Sequence, residues 1–362
     1  MASTFTDTTI LTKPVNAVFQ QTFLRRAQQV CPYLTGTQPG VLNKQAGTST
    51  VKWRRVEQLA PSTSAVSELT GAVTTMFMGR SSVTPTITDV LATASKYGQF
   101  YIVSEEVDLY NPKGTDYELA ATLGEAAGRS INQLARNNSE QNLTLRYAAN
   151  VASTAAVHAI VTTGMLNRCI NELSVNSART FSGITSGSTN LNTVPILDSY
   201  IGICHPDVAA DIAGLTGFVS VERYAQQVMM YPGEFGYYSL AGRGVRFIQS
   251  EDASINYAAG AALSGGDFIS QSAANVDVFT IVLYGKDALG TVGLGQAHTD
   301  GSYRAGDNTG GWEIINHPRG SAGAADPYNE VATIAYKTFF ASAVLNSNWG
   351  RALLVGATDL TN

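Results

Sequence analysis

Lys286 follows an apolar run and precedes a glycine-rich stretch in VLYGKDALGTVGLGQ, Val282 to Gln296, an arrangement in which backbone N–H groups and an ammonium could grip phosphate. A Walker loop needs its lysine directly after the second glycine of G-x-x-x-x-G, where it reaches the terminal phosphates, followed by a metal-holding hydroxyl. Here Lys286 follows the first glycine, and Thr291 follows Gly290. A dinucleotide fingerprint fares no better: Gly293 and Gly295 give G-x-G, but position 298, where the third glycine belongs, is His298. The segment is expected to bind no nucleotide.

Other reactive side chains are equally dispersed. His158, His205, His298 and His317 show no H-x-x-x-H or H-E-x-x-H spacing, so no metal is expected. Cys204 and His205 are adjacent, which in a strand sends side chains to opposite faces; a buried cysteine beside a turn histidine ahead of Pro206 is the reading, rather than a nucleophile and its base. G-x-S-x-G does not occur. Glu105, Glu106 and Asp108 read as a solvated or subunit-facing charge patch rather than a divalent-ion site. No cofactor is implied, and the chain reads as a non-enzyme.

Charged residues make up 14 % of the 362 residues, far below the usual quarter, while hydrophobic residues are an ordinary 44 %. Such a deficit fits surface covered by other subunits, the alternative being a neutral surface rich in Ser, Thr, Asn and Gln. The net charge of −5 is unevenly spread. Residues 1–60 carry Lys13, Arg25, Arg26, Lys44, Lys52, Arg54 and Arg55 against Asp7 and Glu57, a net +5 that could face nucleic acid or an acidic neighbour without forming a dense DNA-binding arm. Cys31, Cys169 and Cys204 have neither C-x-x-C spacing nor an even count, so a reducing cytoplasm fits better than a disulfide framework. The opening MASTFTDTTILTKPV lacks the pattern of a secretory leader, and no apolar run reaches membrane-helix length.

The elements that would carry these residues can be placed by periodicity. PVNAVFQQTFLRRAQQV, residues 14–30, reads as a short amphipathic helix in a loose arm. TSTVKWRRVEQL and LATASKYGQFYIVSEEV read as two strands flanking the Ser/Thr-rich interval Ala60 to Asp89, which is too long for a structureless loop and is taken as an extended hairpin. Thr115 and Glu118 form a capping box for a long helix running to about Asn142, with Leu123, Ala127, Ile131 and Ala135 in its apolar stripe; at 1.5 Å per residue it is about 40 Å long. From Val194 to Ile314, strand-like segments alternate with short helical ones, an α+β pattern, and EVATIAYKTFFASAVL and GRALLVGAT read as closing strands.

This order of arm, hairpin, long helix, α+β unit and returning strands resembles the tailed-bacteriophage major capsid proteins of the Hong-Kong-97-like fold, in their podovirus-type branch. The phrases carrying the resemblance are YIGICHPDVAADIAG (200–214), GEFGYYSLAGRGVRFIQSEDA (233–253), Tyr284-Gly285-Lys286-Asp287-Ala288 and DPYNEVATIAYKTFFASAVLNSNWGRAL (326–353). The resemblance implies an N-terminal arm (1–50), an extended hairpin (51–108), a peripheral domain with a spine helix (109–193), an axial domain (194–326) and peripheral return strands (327–362). It further implies hexamers and pentamers closing into an icosahedral shell around double-stranded DNA contacted without sequence specificity. Scaffold, portal and decoration proteins would be further partners, with no membrane; assembly would take place in the host cytoplasm. Subunit contacts are expected at Lys52, Arg54, Arg55, Glu68, Phe77, Arg80, Glu105 and Glu106. The glycines after Val282 would let a strand leave the core through tight turns. Some relatives crosslink through a lysine, an asparagine and a nearby acid; no such triad is assigned here. An encapsulin-type compartment shell shares the fold, and a cytosolic α/β enzyme or an outer-membrane barrel would be the competing classes.

Overall fold

Alternating β-branched and aromatic residues in VATIAYKTFFASAV make the longest strand of the computed structural model, Val331–Val344. The structure describes residues 31–42, 48–57, 59–61, 63, 84–110, 115–181, 197–224, 229–240, 242–263, 268–294, 296–297, 303–304, 312–321 and 326–360. The amphipathic helix expected at 14–30 and most of the hairpin interval lie outside them, as do Glu68, Phe77 and Arg80.

The first strands are β1 (Gln38–Leu42), β2 (Thr50–Val56), β3 (Ile87–Thr93), β4 (Ser95–Ser104) and β5 (Thr144–Tyr147). Then come β6 (Ser199–Cys204), β7 (Phe218–Ser220), β8 (Glu234–Leu240), β9 (Arg243–Gln249), β10 (Ile255–Asn256) and β11 (Val278–Tyr284). The last are β12 (Leu289–Leu294), β13 (Gln296–Ala297), β14 (Tyr303–Arg304), β15 (Trp312–His317), β16 (Val331–Val344) and β17 (Gly350–Val355). The α-helices are α1 (Glu105–Tyr110), α2 (Thr115–Asn142), α3 (Thr163–Val175) and α4 (Pro206–Ala213).

One sheet runs β1-β12-β16-β15, with β4 also laddered to β16. The second runs β5-β17-β11-β6-β9-β8-β7, with β10 on β11, and β2–β3 and β13–β14 are separate pairs. Because side chains alternate across a strand, the second sheet is apolar on both faces. Tyr200, Phe247, Ile281 and Leu283 pack with Leu166 and Ile170 of α3 and Val208 and Ile212 of α4. On its other face Ile201, Ile203, Ile248 and Val282 share a core with Leu123, Ala127, Ile131 and Ala135 of α2 and with Ile334, Tyr336 and Phe340 of β16. The long helix is therefore held between the two sheets by the stripe its spacing announces, and each fully buried Leu or Ile of that stripe contributes about 1.5–3 kcal/mol. The side chains of the expected capping box, Thr115 and Glu118, lie outside what is described.

One reading changes. LATASKYGQFYIVSEEV is not one strand: β3 pairs with β2, β4 pairs with β16, and Ala94 marks the change of partner by donating its N–H to the Ser49 carbonyl. After Ser104 the chain turns into α1, whose two leading glutamates suit a helix N-terminus. Sheet membership also does not follow chain order, since β12 and β15 join β16 while β5 and β17 flank the strands of 199–284.

Gly285 and Gly290 act by closeness rather than by turning. The left-handed residue of the β11–β12 connection is Asp287, with φ 63°. A Cβ on Gly285 would sit 2.6 Å from the Arg179 carbonyl oxygen, and one on Gly290 3.0 Å from Leu345. Because the neighbour at Gly285 is backbone and cannot rotate away, Gly285→Ala is expected to destabilise the subunit by about 1–3 kcal/mol, measured as a lower urea midpoint at unchanged slope. A wild-type midpoint would show that the 178–181 segment moves freely.

Candidate assembly surfaces

Reactive groups do not converge. Cys204 is buried in β6, while His205 caps α4, its Nδ1 accepting from the Asp207 N–H at 3.3 Å. Burial holds the His205 imidazole below its ordinary pKa. It likewise pushes the free thiols up, Cys31 to about 12 and Cys169 to about 11, so these sulfurs are protonated and inert. Among the described residues no His/Cys/Asp/Glu group is set to hold a metal, and no helix is long and apolar enough to cross a membrane.

The base of the hairpin sorts the three expected cations. Alternation along β2 puts Lys52 and Arg54 outward with Asp89 and the exposed Val56, Ile87 and Leu91. Lys52 lies 2.5 Å and Arg54 3.1 Å from the Asp89 carboxylate, and hydrogen bonds from these two hold that carboxyl below its usual range. Arg55 is on the other face, paired with Glu57 at 2.6 Å and donating to the Leu345 carbonyl at 3.0 Å. It therefore ties the hairpin to its own subunit, while Lys52 and Arg54 remain on the outer face. Between the hairpin base and the β16–β17 connection is a cavity of about 950 Å³, whose walls include Arg54, Arg55, Trp349 and Arg179, the last 5.8 Å above the Trp349 ring.

A stronger surface feature lies on β4. Phe100-Tyr101-Ile102-Val103 is apolar at consecutive positions, the pattern of a strand covered on both faces. Tyr97 and Tyr101 pack towards the core shared with α2, but Phe100 and Ile102, on the opposite face, are 66 % and 63 % exposed. Register extends the row: Phe100 pairs with Ala335, which pairs in turn with Ile315 of β15. Glu105 and Glu106 stand exposed just beyond it, with the Glu105 N–H donating to the Glu330 carbonyl at 2.8 Å. Phe100 and Ile102 were absent from the expected contact residues, although the unbroken apolar run was the signal that could have found them.

Behind this face a polar latch fixes α2 to the turn after β9. Arg129 Nε and Asn132 Nδ2 each donate to the Asp252 carboxylate at 3.0 Å, Gln133 adds a third hydrogen bond, and Ser254 Oγ donates to Glu140. Asn132 Oδ1 also accepts the Tyr33 N–H at 3.0 Å, so one buried amide joins three segments. Burial raises the Glu140 carboxyl above its ordinary range.

No protein-family model matches the chain, and no curated protein is similar to it in sequence. Solved structures are similar to it in fold. The capsid of Ralstonia phage GP4 superposes with a TM-score of 0.62 at 9 % identity, over 91 % of this chain and 89 % of that one. The head of Helicobacter pylori bacteriophage KHP40 gives 0.54 at 11 % identity, over 89 % and 87 %. The capsid of Cyanophage P-SCSP1u gives 0.53 at 10 % identity, over 90 % and 88 %. The chain thus has the mixed α/β architecture of phage capsid subunits, the Hong-Kong-97-like fold, across nearly its whole length.

Proposed function

We propose that this chain is the major capsid protein of a tailed bacteriophage, a structural, non-enzymatic subunit that assembles into hexamers and pentamers of an icosahedral shell around double-stranded DNA. The observation that carries the reading is the sharing of one fold with phage capsid subunits over about 90 % of the chain. A charged fraction of 14 % and the exposed Phe100–Ile102 row support it, because both describe surface that copies would cover. Each subunit would make modest heterologous contacts that ring and shell closure convert into collective stability.

In this reading residues 109–193 and 327–362 form the peripheral domain, 194–326 the axial domain, 51–108 the extended hairpin and 1–50 the arm. Lys52, Arg54, Glu105 and Glu106 face neighbours, as do Glu68, Phe77 and Arg80, whereas Arg55 acts within the subunit. DNA is enclosed and contacted without sequence specificity, assembly takes place in the host cytoplasm, and scaffold, portal and decoration proteins are the further partners.

Purified protein is expected to form rings, shells or tubes by light scattering and electron microscopy; a stable monomer across protein concentration and salt would contradict the proposal. Phe100→Asp tests the surface. Its side chain is exposed in the single subunit, so the variant should keep its thermal midpoint while particle yield drops at least tenfold. Particles formed at wild-type yield would mean that this face of β4 looks onto solvent.

A further inference from the structure

A second cavity, of about 300 Å³, opens where β5, the turn after it and the start of α3 meet. Its walls include Arg146, Tyr147, Asn150, Thr162, Gly164 and Arg168, and among the described residues the two arginines are the only charged ones lining it. Behind them stands a single carboxylate, Glu172. Arg146 Nε spans both its oxygens at 3.1 and 3.0 Å, Arg168 Nε reaches it at 3.2 Å, and Arg351 Nε, from β17, at 2.9 Å. Three guanidinium groups on one carboxylate leave two positive charges unmatched.

Burial raises the Glu172 carboxyl, but hydrogen bonds from Arg146, Arg351 and Arg168 outweigh it and keep the group ionised, so the three-to-one imbalance holds across the neutral range. Arg146 Nη1 also donates to the Leu145 carbonyl, and Arg168 Nη1 to the Asn150 side-chain oxygen. The Nη2 of each has no protein acceptor among the described residues. Glu172 thus fixes both guanidinium planes while leaving donors over, the fork geometry that suits a tetrahedral oxyanion. Gly164 leaves the wall open, since a Cβ there would meet nothing within 4 Å.

We infer that this cavity binds a phosphate group, held by Arg146 and Arg168 and oriented from behind by Glu172. The same chemistry is offered by inorganic phosphate and by a phosphodiester of nucleic acid, and the experiment separates the two. Full-length protein is titrated by calorimetry with inorganic phosphate and, separately, with a short single-stranded oligonucleotide, in low salt and again with phosphate present as competitor. Arg168→Gln removes a donor at a half-exposed position, and Gly164→Asp sets a carboxylate at the mouth without a steric clash. Circular dichroism and thermal midpoints check that both variants stay folded. Saturable binding that both variants weaken at least tenfold is the expected result. Oligonucleotide binding that phosphate competes away identifies the phosphodiester as the occupant, and phosphate binding without it identifies the free anion. Absence of saturable binding of either probe, or wild-type affinity in either folded variant, overturns the site.

Discussion

Ile131→Asp is expected to abolish cooperative folding of the subunit. Ile131 is 1 % exposed at the middle of α2, packed with Leu123, Ala127 and Ala135 on its own helix and in the core shared with Ile334, Tyr336 and Phe340 of β16. The cations of this helix, Arg129 and Arg136, are engaged with Asp252 on the latch side. An aspartate at 131 must therefore either stay charged without a partner or take up a proton, and either route costs several kcal/mol, on the order of the whole stability of a domain. Urea unfolding followed by circular dichroism would measure it, with Ile131→Val as the control that should lose only about 1 kcal/mol. A cooperative transition at the wild-type midpoint in the aspartate variant would mean that the face of α2 has been assigned wrongly.

The second large effect concerns a charge pair at the far end of the eight-stranded sheet. Glu234 on β8 and Arg246 on β9 are 3 % and 2 % exposed, with Arg246 Nη1 3.4 Å from Glu234 Oε1. The carboxylate holds more than the guanidinium. Glu234 also accepts from the Tyr224 hydroxyl at 2.8 Å and from the Met230 and Tyr231 N–H groups at 3.0 and 3.3 Å, and the partners of Arg246 include Ser199 Oγ, to which its Nε donates at 2.9 Å. Burial and the adjacent Glu234 push the Tyr224 hydroxyl far above its ordinary pKa, so it remains a donor throughout the usual pH range. Glu234→Leu leaves a buried guanidinium and three donors behind and should cost about 3–5 kcal/mol. Arg246→Met leaves the carboxylate its three hydrogen bonds and should cost about 1–3 kcal/mol less. Equal losses, or the reverse order, in denaturant melts of the two variants would show that the ion pair, rather than the hydrogen-bond network on Glu234, sets the energy.

Elements whose signal is local could be read from the chain before any coordinates. The stripe of α2, the alternation of β16 and the short apolar run of β17 need only nearby residues to be recognised, and their bounds follow. Features that depend on distant partners were not legible. β12 meets β16 through pairs such as Leu289 with Val344, and nothing in either segment names the other. Arg246 sits inside an expected strand, but part of what offsets its burial, Glu234, arrives from the neighbouring strand. The break at Ala94 exists because β3 and β4 answer to different partners, a fact of pairing that periodicity does not carry. The arginine cavity draws on β5, α3 and β17, three elements spread over some two hundred residues of chain. Of the eight expected contact residues, the structure divides the cations of β2 by strand alternation and leaves Glu105 and Glu106 exposed. The larger clue, the two-sided apolar run of β4, was present in the sequence and lacked only the knowledge that α2 covers one side of it.

The position of β16 and β17 sets an order of events during synthesis. β16 carries ladders to β4, β12 and β15, and β17 lies between β5 and β11, so the strands of 331–355 are inner strands of both sheets. A ribosome releases the chain from its N-terminus at a rate of amino acids per second, slow beside the formation of helices and hairpins. Until residues 331–355 emerge, β4 and β5 have no strand to pair with. The apolar row of Phe100 and Ile102 is therefore displayed as a formed surface only after translation has passed Val344. A nascent or truncated chain that stops short of β16 therefore lacks the strand on which that row is laddered.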